Sequence, residues 1–208
     1  MYGTYLMHWI YLLSRINECG EHRINHMKSK AHAKLKRWSF FGAFVIFALA
    51  GLWHFLYEWL PCGLTAILAP VNESPWEHTK LFFAPALIYF LIGRLTVGAK
   101  YPNFTFAHAA VLPFMPMLML ALHYFFRAIG IKSLALDIVI TFVVIALALY
   151  AAYRMTVSVM HMDTPVYRMA ALLTVAGMLF VFITFTFYPP HIPLFQDRNT
   201  MEYGIPIK

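Results

Sequence analysis

Apolar runs dominate the chain at 38–60, 79–97, 104–126, 134–155 and 168–188, separated by short polar connections. Each is long enough to cross a bilayer as a helix, which takes about 20 residues. The expected fold is therefore all-α, an integral membrane bundle of about five transmembrane helices. An earlier apolar stretch, TYLMHWIYLL at 4–13, is too short to span. It has no basic region before it and no small-residue cleavage site after it, so it reads as an interfacial segment rather than a signal peptide. Residues 22–37, HRINHMKSKAHAKLKR, form a basic belt in which Met27 is an alternative start. Two regions follow: an N-terminal interfacial segment with a basic cytoplasmic belt over 1–37, and a single transmembrane helical domain over 38–208 that ends in an outer-facing tail. Pro85 falls in the second run, and Pro113 and Pro116 in the third. Proline in a membrane helix frees backbone carbonyls, so kinks or a polar cavity are expected there.

Composition agrees with the pattern. Hydrophobic residues make up 61% of the chain and charged residues 12%, against about 45–50% and about 25% in a typical soluble domain. Mean hydropathy is +0.65. The net charge of +7 does not imply a nucleic-acid partner, because the basic residues flank apolar runs, where topology and anionic headgroups account for them. The partner expected from composition is the lipid bilayer.

Lys and Arg orient the chain. One set of flanks carries the belt up to Arg37 together with Arg94, Lys100, Arg154 and Arg168; the other carries Lys80, Arg127, Lys132, Arg198 and Lys208. The positive-inside bias then places the protein in the cytoplasmic membrane with its N-terminus in the cytoplasm and its C-terminus outside. Cys19 and Cys62 fall on opposite sides, so no disulfide joins them. Beyond the belt the acids are Glu58, Glu73, Glu77, Asp137, Asp163, Asp197 and Glu202, and all but Asp163 lie on the outer side with His54, His78, His123 and His191.

The stretch VNESPWEH, 71–78, concentrates this polarity. Ser74, Pro75 and Glu77 make a capping box with proline at the first helical position, which satisfies orphan backbone donors with no need of catalysis. Trp76 suits an interface. His78 lies in the first helical turn, where the dipole disfavours an imidazolium and favours the neutral, metal-binding form. In HFLYE, His54 and Glu58 stand at i,i+4 on one helical face inside an apolar run, able to chelate one ion or to pair with each other. The tail YPPHIPLFQDRNTMEYG, from Tyr188, carries enough apolar residues to pack as a lid and brings His191 to the same side.

HFLYEW at 54–59, PVNESPWEH at 70–78 and PPHIPLFQD with Tyr203-Gly204 resemble an uncharacterised family of small prokaryotic multi-pass membrane proteins, classed as a domain of unknown function. The resemblance covers roughly 38–208 and implies no activity, cofactor or substrate.

Three functional classes remain open. The first is a membrane-embedded hydrolase dependent on a divalent metal such as zinc, with His54, Glu58, His78 and His191 as ligands and Glu73 or Glu77 as the catalytic carboxylate. Glu73 also enters that set as an alternative ligand to Glu58. Against it, no HExxH-type motif is present. The second is a proton-coupled small-solute transporter, disfavoured by the absence of repeats unless a homo-oligomer builds the path between subunits. The third is a non-catalytic partner or sensor subunit that docks through its outer polar face.

Overall fold

The computed structural model describes residues 30–206 and is all-helical there, apart from one isolated antiparallel bridge between Gln196 and Tyr203. The expected interfacial segment at 4–13, Cys19 and the belt before Lys30 lie outside the described residues. Helix α1 spans Lys30–Trp53. Three short helices follow, α2 (Leu56–Trp59), α3 (Gly63–Leu68) and α4 (Pro75–His78), and then α5 (Lys80–Leu95), a 3-10 turn at Gly98–Lys100, α6 (Phe104–Ala128), α7 (Leu134–Thr156) and α8 (Pro165–Phe187).

Four helices, α1, α6, α7 and α8, are long and apolar enough to cross a membrane, at 24, 25, 23 and 23 residues. The second expected run, 79–97, forms α5, of 16 residues. At 1.5 Å per residue that is about 24 Å, short of a hydrocarbon core of about 30 Å. Thr79 separates α5 from the capped turn of α4, and the chain leaves helical geometry at Thr96. Helix α1 ends seven residues before the expected boundary at 60. At its end Phe55 bonds back to Leu52 instead of continuing the i→i−4 ladder, and the chain turns into α2.

Helix α5 is the most enclosed. Phe82, Phe83, Ala84, Pro85, Ala86, Tyr89 and Phe90 are all buried, in one apolar core with Ile46, Leu112, Met115, Val144, Ala148 and Phe182. Small residues let α1 and α5 approach closely. The Tyr89 ring lies where a Cβ on Gly42 would stand, and Trp38 where one on Gly93 would stand. Trp38 stacks on Tyr89 at 4.2 Å between ring centroids, and the Tyr89 hydroxyl donates to the Trp38 carbonyl at 2.8 Å. Such small-residue contacts substitute for the hydrophobic drive that lipid cannot supply. Helices α5 and α6 run through their prolines, with Pro85 and Pro116 buried. The outer face of α8 leaves Val166, Met169, Leu172, Leu173 and Phe180 exposed, as a lipid-facing surface requires.

The polar end of the bundle is organised by Lys80, which is fully buried. Its ammonium donates to Glu77 Oε2 at 2.5 Å, Thr186 Oγ1 at 2.6 Å and the Ala66 carbonyl at 2.7 Å. Three protons meet three close acceptors. Glu77 is 2% exposed, and its carboxylate also accepts the Val71 N–H at 3.0 Å and the Thr186 hydroxyl at 3.4 Å. Burial pushes the Glu77 carboxyl above its ordinary range, opposed by Lys80, Val71 and Thr186. The pair joins α3, α4, α5 and α8.

Replacing Lys80 with Met strands a buried carboxylate, and we expect a loss of about 3–5 kcal/mol of stability, read from unfolding in detergent. Pairing it with Glu77→Leu should recover most of that loss. Unfolding of Lys80→Met like the parent would show that the pair carries no such weight.

Candidate metal centre

The loop before α4 is fixed by its own side chains. Ser74 Oγ accepts the Glu77 N–H at 3.2 Å, as the N-cap reading requires. The reciprocal half of the expected capping box does not form. The Ser74 N–H donates to Asn72 Oδ1 at 2.9 Å, because the Glu77 carboxylate is drawn to Lys80. Trp76 packs among Phe182, Phe185 and Phe195.

The tail completes the loop. The Trp76 N–H donates to the Leu194 carbonyl at 3.0 Å, and the Asn72 amide donates to the Gly204 carbonyl at 2.8 Å. Asp197 is the clasp. Its Oδ2 accepts the Glu73 N–H at 3.1 Å, and its Oδ1 accepts the N–H groups of Asn199 and Thr200 at 2.6 and 3.1 Å. Desolvation would raise the Asp197 carboxyl, but those bonds and the nearby His78 charge outweigh it and hold it below its ordinary value. Gly204 takes φ +76, with the Pro189 ring 3.4 Å from where a Cβ would stand; that backbone region suits glycine.

This framework brings His54, Glu73 and His78 together from three segments: the end of α1, the loop and α4. One ligand atom from each lies within 4.8 Å of the others. His78 Nε2 stands 3.4 Å from Glu73 Oε2, and His54 Nε2 stands 3.8 Å from Glu73 Oε1. The two imidazoles are 5.1 Å apart between centroids. Ligands bound to one ion at 2.0–2.2 Å stand roughly 3–3.6 Å apart, so the contacts are near the scale a metal requires. His78 Nδ1 donates to the Ser74 carbonyl at 2.9 Å, since a carbonyl can only accept. That bond turns Nε2 inward and is the usual outer support of a metal-ligating histidine. His54 Nδ1 is buried without a partner among the described residues.

The centre favours positive charge. Desolvation alone would lower His78, yet the Glu73 hydrogen bond, the Ser74 carbonyl and the Glu73 charge hold its pKa above the ordinary histidine value. Glu73 is depressed in turn, first by its hydrogen bond to His78, against desolvation. The direction is opposite to the one expected from a helix start, because His78 closes the short helix α4 and faces the Glu73 carboxylate. The field that favours a proton there also favours a divalent cation, which would displace it.

The remaining candidates stand elsewhere. Glu58 is exposed beyond the turn at Phe55 and outside the group. Glu77 is enclosed with Lys80. His191 is exposed and lies against Tyr203, at 4.6 Å between ring centroids. Cys62 is a free, exposed thiol. Sequence reading missed Lys80, whose ionisable group in an apolar run was the available signal. It also missed the clasp of Asp197 and a cluster in which Arg127 Nε and Arg198 Nη2 both approach His123 Nε2, at 2.7 and 2.5 Å, while His123 Nδ1 faces Asp137 Oδ1 at 3.1 Å. The i,i+4 spacing of His123 and Arg127 on α6 was readable, but no spacing rule could have joined them to Arg198, 75 residues beyond His123.

Replacing Asp197 with Ala should speed hydrogen exchange at the Glu73 amide and expose the tail to protease. In the parent, the depressed carboxyl makes docking of the tail constant above the unfolded value of about 3.9. Docking should be lost as pH falls below that, through the folded pKa. Unchanged exchange at Glu73 in the variant would remove Asp197 as its anchor.

No curated protein and no solved structure matches the chain. A model described as a family of unknown function (DUF6512) matches residues 27–205. That match covers most of the chain, in which four helices are long and apolar enough to cross a membrane, and the protein belongs to this family of unknown function.

Proposed function

We propose that the protein is a membrane-embedded, metal-dependent hydrolase that works at the outer membrane face through His54, Glu73 and His78. The observation that carries this reading is the convergence of two imidazoles and one carboxylate from three separate segments. Two histidines and a glutamate are a donor set that zinc uses in catalytic sites, with a further position left for water or substrate. The ion would lower the pKa of water and polarise a carbonyl or phosphoryl oxygen.

This chain's residues supply the rest. Ser74 orients His78, and Asp197 holds the backbone of Glu73. The three side chains are about a third to two-fifths exposed, at 32%, 35% and 41%, so a substrate can reach them and protons can pass to solvent. Within this reading Glu73 is a ligand rather than a base. Glu77 is fully engaged by Lys80 and serves as scaffold. The charge asymmetry of the helix ends supports the outer assignment.

Protein purified without chelator should carry close to one equivalent of divalent metal by elemental analysis. His54→Ala, Glu73→Gln and His78→Ala should each lower the metal content at least tenfold without unfolding the bundle, whereas Glu58→Gln should retain it. A metal-free parent that also fails to take up added zinc would end the metalloenzyme reading. A reporter fused after Lys208 should read outside the cell; a cytoplasmic signal would move the site to the other face.

A further inference from the structure

Beside the metal group lies a concentration of positive charge with no structural use for all of it. Arg127 Nε and Arg198 Nη2 both lie within hydrogen-bond distance of one nitrogen, His123 Nε2. A guanidinium can only donate, so that nitrogen accepts and the ring proton sits on Nδ1, facing Asp137. This tautomer is assigned from the partners. The imidazole is then neutral, and the cluster holds two cations against one carboxylate. Arg127 takes that carboxylate, with Nη2 3.7 Å from Asp137 Oδ2. Among the described residues, Arg198 forms no ion pair.

Two guanidinium groups gathered on one acceptor repel each other, and the repulsion is relieved when an anion bridges them. Arg198 is exposed and has donors to spare. It is also tied to the metal group. Its neighbour Asp197 accepts the Glu73 N–H at 3.1 Å, and Arg198 is close enough for its charge to act on His78 and to feel that of Glu73. A cation bound at Glu73 would occupy that carboxylate and leave Arg198 still less compensated.

We propose that Arg198 and Arg127, held by His123, form an oxyanion-binding element for a phosphoryl group, so that the substrate class of the adjacent His54–Glu73–His78 site is a phosphate ester. The naming of that ester as substrate rests on the hydrolase reading; the anion site itself does not. Planar guanidinium forks match phosphate oxygens in pairs, and a tetrahedral dianion takes donors from two arginines at once. Hydrolysis of such an ester needs water alone. The water oxygen bonds to phosphorus, the bond from phosphorus to the alcohol oxygen breaks, and a proton from water ends on the leaving alcohol. No oxidant or reductant enters. Because the site lies at the end of a membrane bundle, the phosphoryl group can belong to a lipid headgroup or to a soluble phosphate, and the two present the same oxygens.

The test uses the full chain, stripped of metal with chelator, in nanodiscs of phosphatidylcholine. Inorganic phosphate is titrated in one arm, and phosphatidic acid is added to the discs in a second, each followed by phosphorus NMR. The parent should bind at least one of the two probes. Arg198→Ala should weaken that binding about tenfold or more, and Arg198→Lys, which keeps the charge and loses the fork, should weaken it less. Both should fold and retain the parent's metal content in parallel unstripped samples. Binding of phosphate in phosphatidylcholine discs assigns a soluble source, and binding of phosphatidic acid alone assigns a headgroup. If neither probe binds, or if both folded variants bind as the parent does, the anion site is refuted. A metal-free parent that still binds phosphate through Arg198 would refute the hydrolase reading and leave the anion site in place.

Discussion

The architecture of the polar end depends on a buried ion pair, Lys80 with Glu77. Its desolvation is severe, because Lys80 has no exposed surface. The structure offsets that penalty by saturation: each ammonium proton has a close acceptor, and the carboxylate takes a backbone N–H and a hydroxyl as well. Buried pairs of this kind do little for net stability compared with an apolar replacement, yet breaking one alone is severe. Here the pair specifies geometry. It fixes where α3 and α8 meet the start of α5, and hence where the loop carrying Glu73 begins.

On that base the loop and the tail hold each other. Asn72 and Trp76 bind tail carbonyls, while Asp197 in the tail binds the backbone of Glu73. The tail is therefore a structural wall of the His54–Glu73–His78 group rather than a loose lid. The contrast between the two glutamates of VNESPWEH follows from it. Glu77 points into the bundle and is spent on Lys80. Glu73, four residues earlier, is held at the surface between two histidines, where the field favours a cation. Two carboxylates of one short motif thus take opposite roles because burial differs.

The membrane explains the economy of charge elsewhere. The exposed faces of α7 and α8 are apolar, and the described acids are gathered mainly at one end. Asp163 is the exception, paired with Arg168 at 2.9 Å at the other end. Asn103 closes that opposite end by bonding Met160 and Met162 of the connection after α7. Polar groups are placed where water or a partner can satisfy them, and the middle of the bundle is left to packing around α5.

The helical membrane fold, the positions of most helices, the N-cap at Ser74 and the gathering of His and carboxylate groups at one end were legible in the sequence, because they arise from local hydropathy and from contacts within a turn. The i,i+4 logic that joined His54 to Glu58 assumed an unbroken helix, and the turn at Phe55 removed it. The second run, 79–97, yields the 16-residue helix Lys80–Leu95, bounded by Thr79 and Thr96. Which glutamate met which histidine, the capture of Glu77 by Lys80, the clasp of Asp197 and the meeting of Arg127 with Arg198 on His123 were decided by tertiary structure alone. Apart from the i,i+3 step from Glu77 to Lys80 and the i,i+4 step from His123 to Arg127, these contacts join segments whose separation in the chain carries no periodic signal, and each is selected by the need to satisfy charge once packing has removed water.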